Sequence, residues 1–290
     1  MGNGATNPWL DRRVLAYAHQ GGAWEAPSST LFAIRRALEL GATGIELDVH
    51  ATADGVLVVS HDGTVDRTTD GRGAIHAMTF AEVRALDNAY WFAPGADVTE
   101  GLDPADYPWR GRAPADPDFA IATLDEVLAL LDQHPDVALN LDIKATAPAV
   151  EAYEEELARR LDEHGNTGRV IVASFLDIAT ENFRRHAPGI ATSAGTLATG
   201  EFWRAVHQAE PVPAMSAVAL QVPAGRGDVV VVDERFIEAA HGAGLAVHVW
   251  TINDRQEMDR LVDLGVDGII TDVPTTLVDL LRARGAGVGA

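Results

Sequence analysis

The chain contains no cysteine. This absence excludes disulfide bonds, thiolate nucleophiles and cysteine-based zinc sites, and it leaves the redox compartment undetermined. Long apolar runs are also missing, because no stretch approaches the roughly 18 uninterrupted apolar residues of a membrane-spanning helix. Residues 1–13 lack the basic start and apolar segment of a secretory signal. A cytoplasmic location is therefore expected.

Positive charge is scarce. Lys and Arg number 22 against 43 Asp and Glu, which gives a formal net charge of −21. Such a chain repels nucleic-acid backbones and anionic lipid surfaces at long range, so neither a nucleic-acid partner nor stable membrane association is expected. A small anionic substrate remains compatible with this charge, because a bound divalent cation reverses the potential locally.

Short β-branched runs alternate with amphipathic helical stretches, a pattern typical of βα units around a parallel sheet. The sequence predicts strands at Val14–His19, Gly44–Val49, Ala138–Lys144, Val170–Ser174, Ala191–Gly195, Ala217–Gln221, Ala246–Trp250 and Gly268–Thr271. Eight such strands predict an α/β fold, a (β/α)8 TIM barrel. The 290 residues suit a single barrel domain over residues 1–290, because such barrels typically contain about 250 residues.

Two additions follow the second barrel strand. The run Val56–His61 comes too soon after the Asp54-Gly55 turn signal for a crossover helix, so it predicts an antiparallel β-hairpin with the second strand. Residues 87–122 lack periodicity and are rich in Pro, Gly and Asp, but they also carry aromatic side chains. We interpret them as an insertion that packs as a lid. Residues 285–290 are expected to form a disordered tail.

Acidic residues gather at the C-terminal ends of two predicted strands, the face where barrels of this kind place their active sites. Glu46 and Asp48 share one face of the second strand, and Asp142 and Lys144 have the same parity on the third. Three carboxylates at one mouth repel one another unless a cation lies between them. Without clustered histidines, this oxygen-rich set favours Mg²⁺ or Ca²⁺ over zinc.

Two histidines are placed beside the same mouth. His19 ends the first strand, and His61 ends the predicted hairpin. Phosphodiester cleavage requires one group that removes a proton from the nucleophile and another that protonates the leaving alkoxide, while a metal offsets charge on the phosphoryl oxygens. We therefore predict that His19 and His61 form an acid–base pair. The residue pattern leaves His50 and His248 ambiguous between structural and functional roles.

Seven short blocks occur in a fixed order over nearly the whole chain. They are His19-Gln20-Gly21-Gly22, Ala26-Pro27-Ser28-Ser29-Thr30-Leu31, Ile45-Glu46-Leu47-Asp48-Val49, Ser60-His61-Asp62, Asp66-Arg67-Thr68-Thr69, Leu141-Asp142-Ile143-Lys144 and Val249-Trp250-Thr251-Ile252-Asn253. Together these blocks resemble the glycerophosphodiester phosphodiesterase family, within the superfamily of phosphatidylinositol-phosphodiesterase-like barrels.

The resemblance implies a divalent cation, Mg²⁺ or Ca²⁺, and hydrolysis of a glycerophosphodiester to sn-glycerol 3-phosphate and an alcohol. In a mechanism proposed for the family, a glycerol hydroxyl attacks phosphorus and gives a cyclic intermediate that water opens. By motif position, the implied roles are metal ligation for Glu46, Asp48 and Asp142, acid–base catalysis for His19 and His61, phosphate contact for Lys144, and a pocket wall for Trp250.

The chain departs from the family pattern at three positions. Gln20 stands where the family has Arg, and Ser28 stands where it has Glu. This joint loss predicts that Gln20 and Ser28 hydrogen-bond to each other in place of a charged pair. Gln20 would also bind the substrate phosphate, more weakly than a bidentate arginine. Asp142 replaces the usual Glu, and this shorter side chain either moves the metal or reaches it through water.

Two alternative functions remain open. One is a related phospholipase D-like enzyme that acts on lysophospholipids or sphingomyelin, by hydrolysis or by release of a cyclic phosphate. The other is a barrel that binds phosphodiesters without turning them over, which the retention of His19, His61 and all three acids disfavours. A glycosidase with paired carboxylates explains neither the histidines nor Lys144.

Overall fold

The computed structural model describes residues 7–10, 14–96, 98–144, 153–165 and 167–285. The strands in these segments are β1 (Leu15–His19), β2 (Gly44–Ala51), β3 (Leu57–Val59), β4 (Ala138–Ile143), β5 (Val170–Ala173), β6 (Ala191–Thr192), β7 (Ala219–Pro223), β8 (Gly225–Arg226), β9 (Val229–Val230), β10 (Ala246–Trp250) and β11 (Gly268–Thr271). The α-helices are α1 (Leu31–Leu40), α2 (Phe80–Arg84), α3 (Leu124–Leu131), α4 (Glu154–His164), α5 (Asp177–His186), α6 (Thr196–His207), α7 (Glu234–Gly242), α8 (Arg255–Leu264) and α9 (Pro274–Ala283). None of the helices in these segments is long and apolar enough to cross a membrane.

Eight strands run parallel around a barrel in the order β1, β2, β4, β5, β6, β7, β10 and β11, and β11 pairs back to β1. Between β6 and β7 the circle is completed by a bridge from Ser193 to Ala219. Two backbone hydrogen bonds of 2.9 Å, from Ala194 to Ala219 and from Val218 to Thr192, accompany this bridge. The predicted (β/α)8 TIM barrel is confirmed, and each predicted strand has a counterpart, although β6 has only two residues.

The predicted hairpin is also present. Strand β3 pairs antiparallel with β2, so that His50 lies opposite Val58. Gly55 has a φ of 80° at the turn between the two strands, a left-handed conformation that glycine adopts without steric cost. The hairpin therefore carries the chain from the end of β2 back over the barrel mouth, where it delivers His61.

The insertion, residues 87–122, packs on the helical layer. Phe32 of α1 lies 4.7 Å from Phe119 and 4.9 Å from Trp109, measured between ring centroids. The guanidinium of Arg110 lies 3.6 Å from the centroid of the Tyr107 ring. No residue of the insertion, within its described part, lines the cavity at the barrel mouth. The interpretation as a lid is therefore wrong for this conformation, because the aromatic side chains cover α1 instead. The expectation of a disordered tail falls outside the described residues, except at residue 285.

Alternation along the strands separates the hydrophobic core from the functional face. Ile45 and Leu47 of β2 belong to the core between strands and helices, whereas Glu46 and Asp48 lie inside the barrel. Nearer the N-terminal ends of the strands, the interior is filled by the side chain of Tyr17. Its ring packs directly on the backbone of Gly44, where an added Cβ would lie only 2.4 Å from the ring and would clash with it. The polar side chains therefore occupy the level above Tyr17, at the C-terminal mouth.

Candidate active site

The C-terminal ends of the barrel strands open into a cavity of about 850 Å³. One side, which we call the polar wall, is lined by His19, Glu46, Asp48, His61, Asp142 and Lys144. The other side, which we call the apolar wall, is lined by Phe175, Trp203, Val222, Val229, Val231 and Trp250. Every predicted metal ligand, both predicted acid–base histidines and the predicted lysine thus lie around one space.

Strand register places the acids together. Strands β2 and β4 are parallel neighbours, with Asp48 opposite Asp142 and Glu46 opposite Asn140. Burial raises the pKa of Glu46, and the neighbouring charge of Asp48 raises it further. Burial also raises the pKa of Asp142, although Lys144 partly opposes this shift. The three acids therefore form a cluster with too little nearby positive charge.

Lys144 is the cation closest to this cluster in the polar wall. Its Nζ lies 2.8 Å from Oδ1 of Asp48 and 3.2 Å from Oδ2 of Asp142. Burial alone would lower the pKa of Lys144, but Asp48 and Asp142 hold it above its ordinary value. Lys144 is therefore charged at neutral pH, and it offsets part of the negative charge on the two aspartates.

The acids suit a divalent cation by their chemistry. Oδ2 of Asp48 and Oδ1 of Asp142 are buried and accept no hydrogen bond within the described segments. Carboxylate oxygens of this kind are the ligands that Mg²⁺ and Ca²⁺ prefer. In this conformation, no three acidic or histidine side chains in the part of the chain that the structure describes are grouped as a metal site, and Lys144 contacts both aspartates.

His19 is held by a carboxylate that sequence reasoning missed. Its Nδ1 lies 2.5 Å from Oδ1 of Asp272, and the Asn253 amide donates to the other oxygen of Asp272 at 2.7 Å. Burial alone would lower the pKa of His19, but Glu46 and Asp272 raise it to about 9. These two carboxylates therefore favour the protonated imidazole of His19. Asp272 directly follows β11, so the rule that singles out polar strand ends would have identified it.

Gln20 contacts His19 and not Ser28. Its Nε2 lies 3.1 Å from Nε2 of His19, while its Oε1 is buried without a partner among the described residues. The backbone carbonyl of Ser28 accepts a hydrogen bond from Asn88 at 3.0 Å. The predicted hydrogen bond between Gln20 and Ser28 is therefore wrong. Gln20 follows the end of β1 with a left-handed φ of 53°, and from this turn its side chain reaches the imidazole.

His61 has a carboxylate partner of its own. Its Nδ1 lies 2.7 Å from Oδ1 of Asp62, and Nε of Arg67 donates to Oδ2 of Asp62 at 2.5 Å. Burial alone would raise the pKa of Asp62, but the hydrogen bonds from His61 and Arg67 hold it well below its ordinary value. The rings of His19 and His61 lie 5.9 Å apart and are nearly perpendicular, at 87°. Each histidine thus has Nδ1 fixed by a carboxylate, which leaves Nε2 as the nitrogen for proton transfer.

The two ambiguous histidines lie in the interior. Burial lowers the pKa of His50, against the opposing effect of a hydrogen bond with the backbone of His61. The ring of His248 lies 5.2 Å from that of Tyr17, within the barrel. Neither lines the cavity as the structure describes it. His248 therefore belongs to the packing beneath the site, whereas His50 is buried beyond Asp48 on β2, opposite Val58 of the hairpin.

The apolar wall begins beside Lys144. The Lys144 ammonium lies 5.7 Å from the centroid of the Phe175 ring, and Phe175 meets Trp250 edge to face at 5.6 Å. The predicted position of Trp250 in the pocket wall agrees with this geometry. The cavity thus passes directly from buried charges to aromatic and aliphatic side chains.

Comparisons with known proteins agree with this arrangement. Residues 19–276 match the model of the glycerophosphoryl diester phosphodiesterase family. The chain is 33% identical over 277 residues to a glycerophosphodiester phosphodiesterase from Caldanaerobacter subterraneus, a match that covers 94% of this chain and 100% of the relative.

Solved structures share the fold. The glycerophosphoryl diester phosphodiesterase domain of a Mycobacterium tuberculosis protein aligns with a TM-score of 0.76 at 20% identity, covering 93% of this chain and 99% of that one. A phosphodiesterase from Oleispira antarctica, in complex with its product sn-glycerol-3-phosphate, aligns with a TM-score of 0.69 at 24% identity, covering 93% and 97% of the two chains.

Proposed function

Because the chain belongs to the glycerophosphoryl diester phosphodiesterase family and is a phosphoric diester hydrolase, we propose that it uses a divalent cation and two histidines to hydrolyse glycerophosphodiesters. The products are sn-glycerol 3-phosphate and an alcohol. The observation that carries the proposal is the polar wall, where His19 and His61, each bound to an aspartate, face three buried acids and Lys144. A product of the same kind is bound in the Oleispira antarctica phosphodiesterase.

Glu46, Asp48 and Asp142 would hold the cation. When bound, a Mg²⁺ or Ca²⁺ ion supplies positive charge that stabilises the phosphoryl oxygens of the substrate. The unpartnered oxygens of Asp48 and Asp142, together with the upward pKa shift of Glu46, support this assignment, because a cluster of buried carboxylates lowers its free energy by binding a cation. Lys144 would contact a phosphate oxygen beside the two aspartates.

The proton transfers follow from the positions of the histidines. One histidine of the pair removes the proton of the glycerol 2-hydroxyl as its oxygen forms a bond to phosphorus. The bond from phosphorus to the alcohol oxygen breaks, and the other histidine gives that oxygen a proton. The cyclic phosphate is then opened by water, whose hydroxyl adds to phosphorus while its proton passes to the glycerol oxygen. Asp272 and Asp62 orient the two imidazoles throughout.

Phosphorus NMR of the products tests the proposal directly. Glycerophosphocholine incubated with the protein and Mg²⁺ or Ca²⁺ should give sn-glycerol 3-phosphate and choline. Accumulation of a cyclic phosphate as the final product would favour the cyclase alternative instead. Binding of glycerophosphodiesters with no product over a wide range of ions would favour a non-catalytic barrel.

We expect Gln20→Ala to lower kcat/KM about 5- to 30-fold, equivalent to about 1–2 kcal/mol for one hydrogen bond to a charged group. In the observed orientation Nε2 of Gln20 lies 3.1 Å from Nε2 of His19, and it can donate to that nitrogen only when the imidazole has lost its proton. A half-turn of the amide would let its Oε1 accept a hydrogen bond from protonated His19. The Gln20 side chain can therefore hydrogen-bond to His19 in both protonation states. The measurement is steady-state kinetics with glycerophosphocholine.

Ser28→Ala provides the matched control, because Ser28 is buried in the same segment between β1 and α1 and makes no hydrogen bond to Gln20 or His19 in the described structure. It should keep near-wild-type kcat/KM. Equal losses in the two variants would mean that the turn as a whole, and not the contact with His19, matters. An unchanged kcat/KM for Gln20→Ala would remove Gln20 from the site.

A further inference from the structure

The hydroxyl of Tyr153 is hydrogen-bonded to the end of β2. It donates to the backbone carbonyl of Val49, the residue that directly follows Asp48 on this strand. Both partners are buried, since Val49 has no exposed surface and Tyr153 is 9% exposed. A hydrogen bond in such surroundings is electrostatically stronger than one in water. Tyr153 therefore holds the backbone of β2 beside one of the proposed cation ligands.

The same hydroxyl lies close to the end of β4. Val49 pairs with Ile143 in the last register position of the two strands, and Lys144 directly follows. Burial raises the pKa of Tyr153, and the charge of Asp142 raises it further, whereas a polar contact with the backbone of Lys144 opposes this shift. The hydroxyl therefore keeps its proton at neutral pH and remains a hydrogen-bond donor at the point where β2 and β4 both end.

The ring of Tyr153 is anchored in the helical layer. Tyr153 directly precedes α4, and it belongs to the same hydrophobic cluster as Leu157 and Leu161 of that helix. Helix α4 in turn packs between α3 and α5. Tyr153 does not line the cavity as the structure describes it, so it cannot touch a substrate or a cation bound there. Any effect on the site passes through the backbone of β2 and β4.

The carboxylates of Asp48 and Asp142 depend on that backbone for their positions. Oδ2 of Asp48 and Oδ1 of Asp142 accept no hydrogen bond within the described segments, and Lys144 contacts the other oxygen of each. The two aspartates form the last register pair but one of β2 and β4, and the ends of a β-ladder open more readily than its middle. A group that fastens this end therefore limits how far the two carboxylates can move apart.

We propose that Tyr153 is a positioning residue for the cation site, whose hydroxyl holds the ends of β2 and β4 at the spacing at which Asp48 and Asp142 bind one ion together. This inference rests on the proposed function, and it adds a residue that lies outside the cavity. Partners that hold metal ligands in place raise the affinity for the ion, because a ligand that is already ordered loses less conformational freedom on binding. Tyr153 acts in this way through the backbone and not through the ligand side chains.

Tyr153→Phe is the test variant, because it removes the hydroxyl but keeps the ring in the core, so that the fold should be retained. The protein is freed of metal with a chelator and then titrated with Mg²⁺ and with Ca²⁺ by calorimetry. We expect the Kd of the ion to rise by roughly three- to tenfold, below the range of about 10- to 100-fold that is typical of partners in direct contact with a ligand. The kcat at saturating cation should remain close to the wild-type value, because Asp272 and Asp62 still orient the two imidazoles.

Tyr107→Phe is the matched control. The Tyr107 hydroxyl, in the insertion, donates to the backbone carbonyl of Thr99 at 2.7 Å and accepts from the backbone N–H of Leu102 at 3.0 Å. Tyr107 is also buried, and it does not line the described cavity. Each variant thus loses one hydroxyl that donates to a backbone carbonyl. Both should lower the Tm measured in chelator, but only Tyr153→Phe should weaken cation binding.

A purely structural role for Tyr153 gives a different result. A Tyr153→Phe protein that melts at a lower temperature but binds the cation with the wild-type Kd would overturn the inference, as would a fall in kcat at saturating cation without a change in Kd. Calorimetry does not depend on turnover, so the expected difference in Kd in a protein that cleaves no glycerophosphodiester would support the inference while the proposed reaction fails. A wild-type protein that binds neither ion would overturn both the cation site and this inference.

Discussion

Replacing His19 by Ala is expected to lower kcat by about 10² to 10⁴, the range typical of a lost general acid or base. His61→Ala should have an effect of the same order, because both proton transfers need a correctly oriented imidazole. The two rings lie 5.9 Å apart on the polar wall, and each is bound to an aspartate through Nδ1. The measurement is kcat with glycerophosphocholine at saturating substrate and cation.

Thermal melts and a surface control separate catalysis from folding. His186 is exposed near the end of α5, so His186→Ala should leave kcat unchanged. The variants of His19 and His61 should retain a cooperative melting transition. A wild-type kcat in either variant would show that the histidine concerned is structural, and the assignment of the acid–base pair would then fail.

Removal of divalent cations is expected to abolish turnover, and addition of Mg²⁺ or Ca²⁺ should restore it. The physical reason is the cluster of Glu46, Asp48 and Asp142, whose buried oxygens are short of positive charge. A cation that binds only the folded state also raises its stability, by about 2.7 kcal/mol at a hundredfold excess over Kd. Thermal denaturation with and without the ion therefore provides a readout that is independent of activity.

Asp48→Asn should lose both the restoration of activity and the shift in Tm. Asp136→Asn is the control, because Asp136 is an exposed acid outside the cavity, and it should behave as the wild type in both measurements. Full activity in excess chelator, with no metal in the protein and no ion-dependent change in Tm, would contradict the metal assignment.

Much of the polar wall could be predicted, because the alternation of side chains between the two faces of a strand is encoded by neighbouring residues. Glu46 and Asp48 alternate with Ile45 and Leu47, so the sequence itself separates the residues that face the cavity from those in the core. The barrel prediction also used local patterns, namely eight short β-branched runs that alternate with amphipathic helical stretches. The register that places Asp48 opposite Asp142 then follows from the parallel pairing of β2 and β4.

Contacts set by tertiary structure were harder to predict. The contact between His19 and Asp272 joins residues 253 positions apart, so no local pattern encodes it. The expected pairing of Gln20 with Ser28 failed because two residues that change together need not touch, and the turn at Gln20 directs its amide to His19. The aromatic residues of the insertion predicted that it packs against the barrel, but they did not predict that it packs on α1 and not over the cavity mouth. The exposed hydrophobic side chains in the loops after β5, β6 and β7 were not predicted, because they come from separate loops without periodicity.

The closure of the barrel between β6 and β7 has a mechanical consequence. On the catalytic side, β2 and β4 are joined along six consecutive register pairs, from Gly44 with Ala138 to Val49 with Ile143. On the opposite side, the bridge of Ser193 with Ala219 completes the circle. Local opening costs less free energy where fewer hydrogen bonds must break. We therefore expect the barrel to open more readily between β6 and β7, beneath the apolar wall, than between β2 and β4, where the acids lie.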